Sequence, residues 1–144
     1  MRNFSKGQAV IEFALVLPLL LIVLIGIFYC SMILSSYLSL SSMARSSARA
    51  AAVAETNADN YSAVRSKYFN ETMPVNAYTW DAKSKNDFNI TYDKANNNVV
   101  VTMHAKLNAN GSKIASVMGN LASIANTSFD LNVTYTMYSE NKHE

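Results

Sequence analysis

The chain has 144 residues, half of them hydrophobic and 15% charged, with a formal net charge of +2, whereas an ordinary soluble domain is about 25% charged. Two of the 12 basic side chains, Arg2 and Lys6, fall in the first seven residues, and the others balance the 10 acidic ones. With no basic surplus elsewhere, nucleic-acid recognition is excluded as a main function, and the single cysteine, Cys30, excludes an intrachain disulfide or a cysteine-built metal centre.

No charged residue occurs between Glu12 and Arg45. The stretch Phe13 to Leu34, 22 residues, makes a helix of about 33 Å at about 1.5 Å per residue, and a bilayer core is about 30 Å thick. A secretory signal has an apolar region of about 7–15 residues and no acid. Here the run is longer and opens with Glu12, so it is read as a retained membrane helix. Arg2 and Lys6 favour a cytoplasmic N-terminus, weakly opposed by Arg45 and Arg49, and the remainder then faces the periplasm or exterior. Glu12 is the residue that a plain anchor does not need. A carboxylate costs up to about 2.5–3.5 kcal/mol at the bilayer centre and less near the interface. It either reaches the headgroups and serves the positive end of the helix or has a partner. Pro18 removes a backbone donor and predicts a kink. Cys30 is expected as a small buried apolar residue.

The helical pattern continues to about residue 70. Leu34, Leu38, Ser41, Ala44, Ala48 and Ala51 recur at three- and four-residue spacing, a narrow face that ends in small side chains. Small residues allow backbones to approach closely, so Ala44, Ala48 and Ala51 are read as a packing ridge for the chain's own outer domain or for another subunit. Arg45 and Arg49 share a solvated side.

From residue 75 the pattern becomes that of strands, with Val75 to Trp80 as a candidate first strand or ordered loop. Phe88 to Tyr92 and Val99 to His104 alternate about Ala95-Asn96-Asn97-Asn98, a hairpin whose asparagines tolerate positive φ. Ser112 is a candidate N-cap for a short helix carrying Ile114, Val117, Met118, Leu121 and Ile124. Strict alternation from Phe129 to Met137 predicts a last strand. About 70 exterior residues make a marginal core alone, so the long helix is expected to supply one of its faces.

Catalytic chemistry finds no support. His104 sits in a predicted strand and His143 near the terminus, too isolated to ligate a metal. Asn110-Gly111-Ser112-Lys113 lacks the spacing of a phosphate loop, and no paired carboxylates stand out. No cofactor is expected. Asn-X-Ser/Thr triplets, among them those at Asn70, Asn89, Asn110, Asn126 and Asn132, are expected by chance in a chain rich in those residues.

The stretch Lys6-Gly7-Gln8-Ala9-Val10-Ile11-Glu12-Phe13, running into Ala14-Leu15-Val16-Leu17-Pro18-Leu19-Leu20, resembles the prepilin pattern Gly-X-X-X-X-Glu-Phe. More closely, it resembles the TadE-like pseudopilins of the tight-adherence (type IVb) pilus. The likeness extends through Gly26 and Met43-Ala44-Arg45-Ser46-Ser47-Ala48-Arg49, about the first 55 residues, and more weakly to Tyr135-Thr136-Met137-Tyr138-Ser139-Glu140. It implies cleavage by a membrane prepilin peptidase between Gly7 and Gln8. Glu12 and Phe13 would then be the fifth and sixth residues of the mature chain, and Glu12 would pair with the new amine of a neighbouring subunit. Gln8 in place of Phe after the cut, and the short leader, suit the tight-adherence branch. The length suits a minor subunit.

The expected fold is α+β and pilin-like: a long N-terminal transmembrane helix, kinked at Pro18, packed on a small antiparallel sheet with one short additional helix. The expected divisions are leader 1–7, membrane and assembly helix 8–55, linker or helix end 56–74, and exterior domain 75–144. The expected role is a non-enzymatic minor subunit acting in pilus assembly, adhesion or secretion from the bacterial inner membrane. Its expected partners are the prepilin peptidase, other pilins and pseudopilins, the inner-membrane assembly platform and the bilayer. The alternatives are an uncleaved single-pass protein whose periplasmic domain scaffolds envelope proteins, and, more remotely, a secreted binding domain.

Overall fold

A computed structural model describes residues 4–54 and 58–139. The elements in chain order are α1 (Phe4–Val53), α2 (Ala58–Ser66), β1 (Tyr78–Thr79), β2 (Phe88–Asp93), β3 (Asn98–Leu107), α3 (Lys113–Ile124) and β4 (Leu131–Tyr138). This is an α+β fold built from one long apolar helix, a small antiparallel sheet and short additional helices. The chain divides into two compact units, Met1–Leu34 and Ser35–Glu144. Arg2, the 55/56 boundary and His143 lie outside the described residues.

In the first unit α1 is unbroken and contains Pro18. Proline has no N–H, so the Ala14 carbonyl one turn back has no ladder donor. From Gly7 to Phe28 every residue is exposed, and so is Cys30. The expectation of a buried Cys30 is therefore corrected: its side chain is exposed.

The second unit begins with the remainder of α1. Helix was expected to about residue 70, but α1 ends at Val53, Ala54 is a bend, and α2 starts afresh at Ala58. The sequence here, Thr56-Asn57-Ala58-Asp59-Asn60, is rich in side chains that compete with the helix for backbone hydrogen bonds. After α2, turns centred on Lys67 to Asn70 are closed by Lys67, Tyr68 and Phe69 N–H groups donating to Val64, Arg65 and Ser66 carbonyls.

The β2–β3 hairpin pairs Phe88 with Met103 through Asp93 with Asn98. Its loop is held by Asp93, whose carboxylate accepts from Ala95 N–H at 3.0 Å and Asn96 Nδ2 at 2.8 Å. These bonds, Asn96 first, hold the Asp93 carboxyl below its usual pKa. Asn97 takes the positive φ of 54°, as the asparagine-rich turn predicts. β4 pairs antiparallel with β3 from Ala105–Leu131 to Asn98–Tyr138. β1 pairs Tyr78 with Leu107. The His104 amide reaches Asp87 O and the Asn108 amide reaches Ala77 O, both at 2.8 Å. Amides four residues apart on a strand point the same way, so β1 extends the β2 side of β3 and β4 holds the other side alone.

α3 starts where expected: Ser112 is extended and its hydroxyl accepts from Ala115 N–H at 3.1 Å. It ends with Asn126 at φ 50°, with Asn126 and Thr127 N–H donating to Ser123 and Ala122 carbonyls, the paired closure of a Schellman motif. Its packed side differs from the expectation. Ala115, Met118 and Ala122 are buried, while Val117, Leu121 and Ile124 are exposed, Ile124 by 83%. Close approach decides this: a Cβ on Gly119 would stand 3.0 Å from Ala109 Cβ, room that only a small-residue face leaves.

The core of this unit lies between α1 and one sheet face. Phe88, Ile90, Val99, Val101, Met103, Ala105, Leu131 and Val133 alternate inward, while Asn89, Thr91, Asn132, Thr134 and Thr136 are exposed, the period of two of a half-buried sheet. Phe88 is fully buried, with Tyr68 edge-on at 5.8 Å and the Arg65 guanidinium 5.8 Å from its centroid. Arg65 also donates to Ala82 O and Lys83 O at 3.0 and 2.9 Å, and thereby ties α2 to the loop before β2. Phe88→Ala should lower unfolding stability of the detergent-solubilised protein by about 3–5 kcal/mol. Asn132→Ala on the outer face should stay within about 0.5 kcal/mol, both read by denaturant titration.

Candidate functional site

The residues singled out in the sequence fall on one helix, in two stretches with opposite environments. The first runs from Gly7 to Pro18 in the apolar unit. An 18-residue apolar window of α1 has mean hydropathy 2.9 and none of it is buried, so α1 is long and apolar enough to cross a membrane. Phe13 is 64% exposed. Such a surface is costly in water, at roughly 25 cal/mol per Å², and finds its match in lipid or in other apolar helices.

Gly7 and Gln8 lie in the first turns of α1, and a Cβ at Gly7 would meet nothing within 4 Å. The first four N–H groups of a helix have no acceptor within it, so this end is held by fewer bonds than the middle. Gln8 and Glu12 are one turn apart on the same side, and Gln8 Nε2 donates to Glu12 Oε1 at 3.2 Å. Glu12 thus has a neutral donor from its own chain. Sequence reasoning did not anticipate this contact, although a glutamine four residues before a glutamate is a recognised helical pair.

The second stretch, in the outer unit, is the small-residue ridge. Ala44, Ala48 and Ala51 are fully buried. The face they belong to is not quite the one read from spacing: Leu34 and Leu38 are exposed, and the buried positions are Ser36, Leu40, Met43, Ala44, Ser47, Ala48, Ala51 and Ala52. The helical period is kept, but two of its members are serines that a hydropathy reading passes over. Ser47 returns its hydroxyl proton to Ala44 O at 3.0 Å, which removes the cost of burying it. Along the rim of this face, Ser46 Oγ lies 2.7 Å from Tyr68 Oη, and Arg45 sits 5.6 Å over the Tyr135 ring. The side of Arg45 expected to be only solvated therefore carries a cation–π contact with β4.

Elsewhere, His104 Nε2 is 3.9 Å from Asp130 Oδ2, and Asp130 Oδ1 accepts from Leu107 N–H at 2.8 Å, an arrangement that fastens the end of β3 to the start of β4. Tyr78 donates to Phe129 O at 3.2 Å; burial first, and Asp130 second, raise its pKa. Among the described residues no group of three or more His, Cys, Asp or Glu could hold a metal. The chemistry that this arrangement offers is association through helix faces and lipid.

Comparison with known proteins bears on the same helix. Residues 7–49 match the family model described as TadE-like protein, which agrees with the resemblance read from Gly7 to Arg49. The match covers α1 from Gly7 to Arg49, including Ala44 and Ala48 of the ridge but not Ala51. No curated protein matches the chain, and no solved structure matches it.

Since Ala48 is fully buried, Ala48→Leu should force α1 away from its packing partners and cost about 1–3 kcal/mol. Limited proteolysis of the membrane-bound protein should show faster cleavage of the outer unit. Arg49→Leu, one position away on the exposed side, should not change it.

Proposed function

We propose that this chain, TadE-like over residues 7–49, is a minor pilin-like subunit of a tight-adherence pilus, cut between Gly7 and Gln8 and held in the inner membrane by α1. Its task is assembly by packing, with no reaction of its own. The observation that carries this reading is the lone carboxylate of Glu12 at the head of an exposed apolar helix, five residues beyond Gly7. Cutting after Gly7 creates an α-amine with a reference pKa near 7.7–8, mostly cationic at neutral pH. A cation on one chain and a carboxylate on the next neutralise each other in lipid. Either left alone costs several kcal/mol, so the pair sets the axial register of neighbouring subunits. Glycine before the cut lets the backbone extend in a protease cleft without a Cβ clash.

The remaining assignments follow from the same helix. Arg2 and Lys6 keep the N-terminus cytoplasmic, and the outer unit faces the periplasm. Pro18 gives α1 a soft turn where a subunit can bend as it leaves the bilayer. The prepilin peptidase, other pilins and pseudopilins, and the inner-membrane assembly platform are the partners. A second reading, an uncleaved single-pass scaffold, is favoured by one observation: the Gly7–Gln8 bond lies within α1, so a peptidase must first unwind that turn.

Two substitutions separate these readings. Gly7→Leu should leave full-length precursor in the membrane fraction, seen by intact mass; normal processing would count against the cut. Glu12→Ala should be cut and inserted yet fail to enter the pilus, seen by immunoblot of sheared surface material. Wild-type incorporation of that variant would remove the register role.

A further inference from the structure

We infer that Glu12 protects the amine that cleavage would create on Gln8, by holding the Gln8 side chain away from it. This rests on the proposed cut between Gly7 and Gln8 and concerns the chemistry of the residue that the cut leaves first. A terminal glutamine can react with itself. Its α-nitrogen attacks its own side-chain carbonyl carbon; an N–C bond forms, the Cδ–Nε2 bond breaks, and a hydrogen from the attacking nitrogen leaves with Nε2 as ammonia. No co-reactant is consumed. The product is a five-membered lactam whose nitrogen is an amide and carries no charge, so a subunit closed in this way has no cation to offer a neighbouring Glu12.

The geometry of α1 opposes that closure. Gln8 Nε2 donates to Glu12 Oε1 at 3.2 Å, one turn toward the C-terminal end, whereas the backbone N–H groups of a helix point toward its N-terminal end. Ring closure needs Cδ folded back onto the α-nitrogen, so the anchored side chain must first be released. Glu12 accepts the hydrogen of Nε2 in this contact and does not lend the hydrogen that the departing nitrogen requires. The same carboxylate that would receive a neighbour's amine thus keeps its own chain's amine available. The surrounding surface is apolar, with Ile11 and Phe13 each 64% exposed, so water competes weakly for the bond once the helix is in lipid.

The test reads the N-terminal peptide by mass spectrometry, where closure appears as the loss of one ammonia. One arm takes the full-length protein from its native membrane. The other releases the chain from Gln8 onward, in detergent, from a tagged form with a site-specific protease. The wild-type terminus should stay open in both arms. Glu12→Ala should raise the closed fraction about two- to tenfold, the population weight of one hydrogen bond of ordinary net strength. Glu12→Gln, whose side-chain oxygen can still accept from Gln8, should stay near wild type. Equal closed fractions in wild type and Glu12→Ala, or a wild-type terminus already closed, overturn the protective role and leave the cut standing. A membrane-derived chain beginning at Met1 overturns the cut, while the detergent arm still decides the chemistry.

Discussion

The outer unit depends on burying together the small-residue face of α1 and the inner face of the sheet. The sheet turns Phe88, Val99, Val101 and Met103 to one side, all of them fully buried, and such a face needs a cover. In the same unit α1 buries Ala44, Ala48 and Ala51 completely, residues small enough to permit close packing. Small residues contribute little apolar area of their own. Their value is the close packing they permit around the larger buried residues. Ser36 and Ser47 fit the same requirement, being small enough for the interface and, in the case of Ser47, able to return its hydrogen bond to the helix it stands on.

The single helix therefore answers to two solvents. Toward its start it is apolar on every side, as a helix in lipid must be; toward its end it is apolar on one face only and carries Arg45 and Arg49 on the other. The change falls between Leu34 and Leu40, the region in which the two compact units meet in sequence. Glu12 is the exception in the first environment, and its contact with Gln8 shows how the exception is accommodated within one chain. A neutral amide partly satisfies the carboxylate without cancelling its charge, so that charge stays available to a stronger partner.

Much of this was legible in the sequence because the signals are local. The uncharged run after Glu12, the asparagine turn before Val99, the cap at Ser112 and the alternation through Val133 and Tyr135 each follow from the residues within one element. What escaped depends on contacts between elements. The extension of β3 to Leu107 follows the same alternation, Met103 and Ala105 inward, but Ala105 is too small to stand out. The packed side of α3 was misjudged because Ile124 and Leu121 are larger than Ala115 and Ala122, and size was a poor guide where Gly119 nearly touches Ala109. The role of Arg65 as a tie between α2 and the Ala82–Lys83 carbonyls needed the third dimension. Of the candidate site, the residue types and spacing from Gly7 to Pro18 could be read directly; the bond from Gln8 to Glu12 could not.

The placement of Ser36 to Ala52 in the core has a practical corollary for anyone wishing to handle the outer unit without its anchor. A fragment begun at the first strand, or even at α2, would discard the lid and leave a bare apolar sheet open to water and to its own copies. The severable point lies near Ser35, in mid-helix, where no loop or proline marks it.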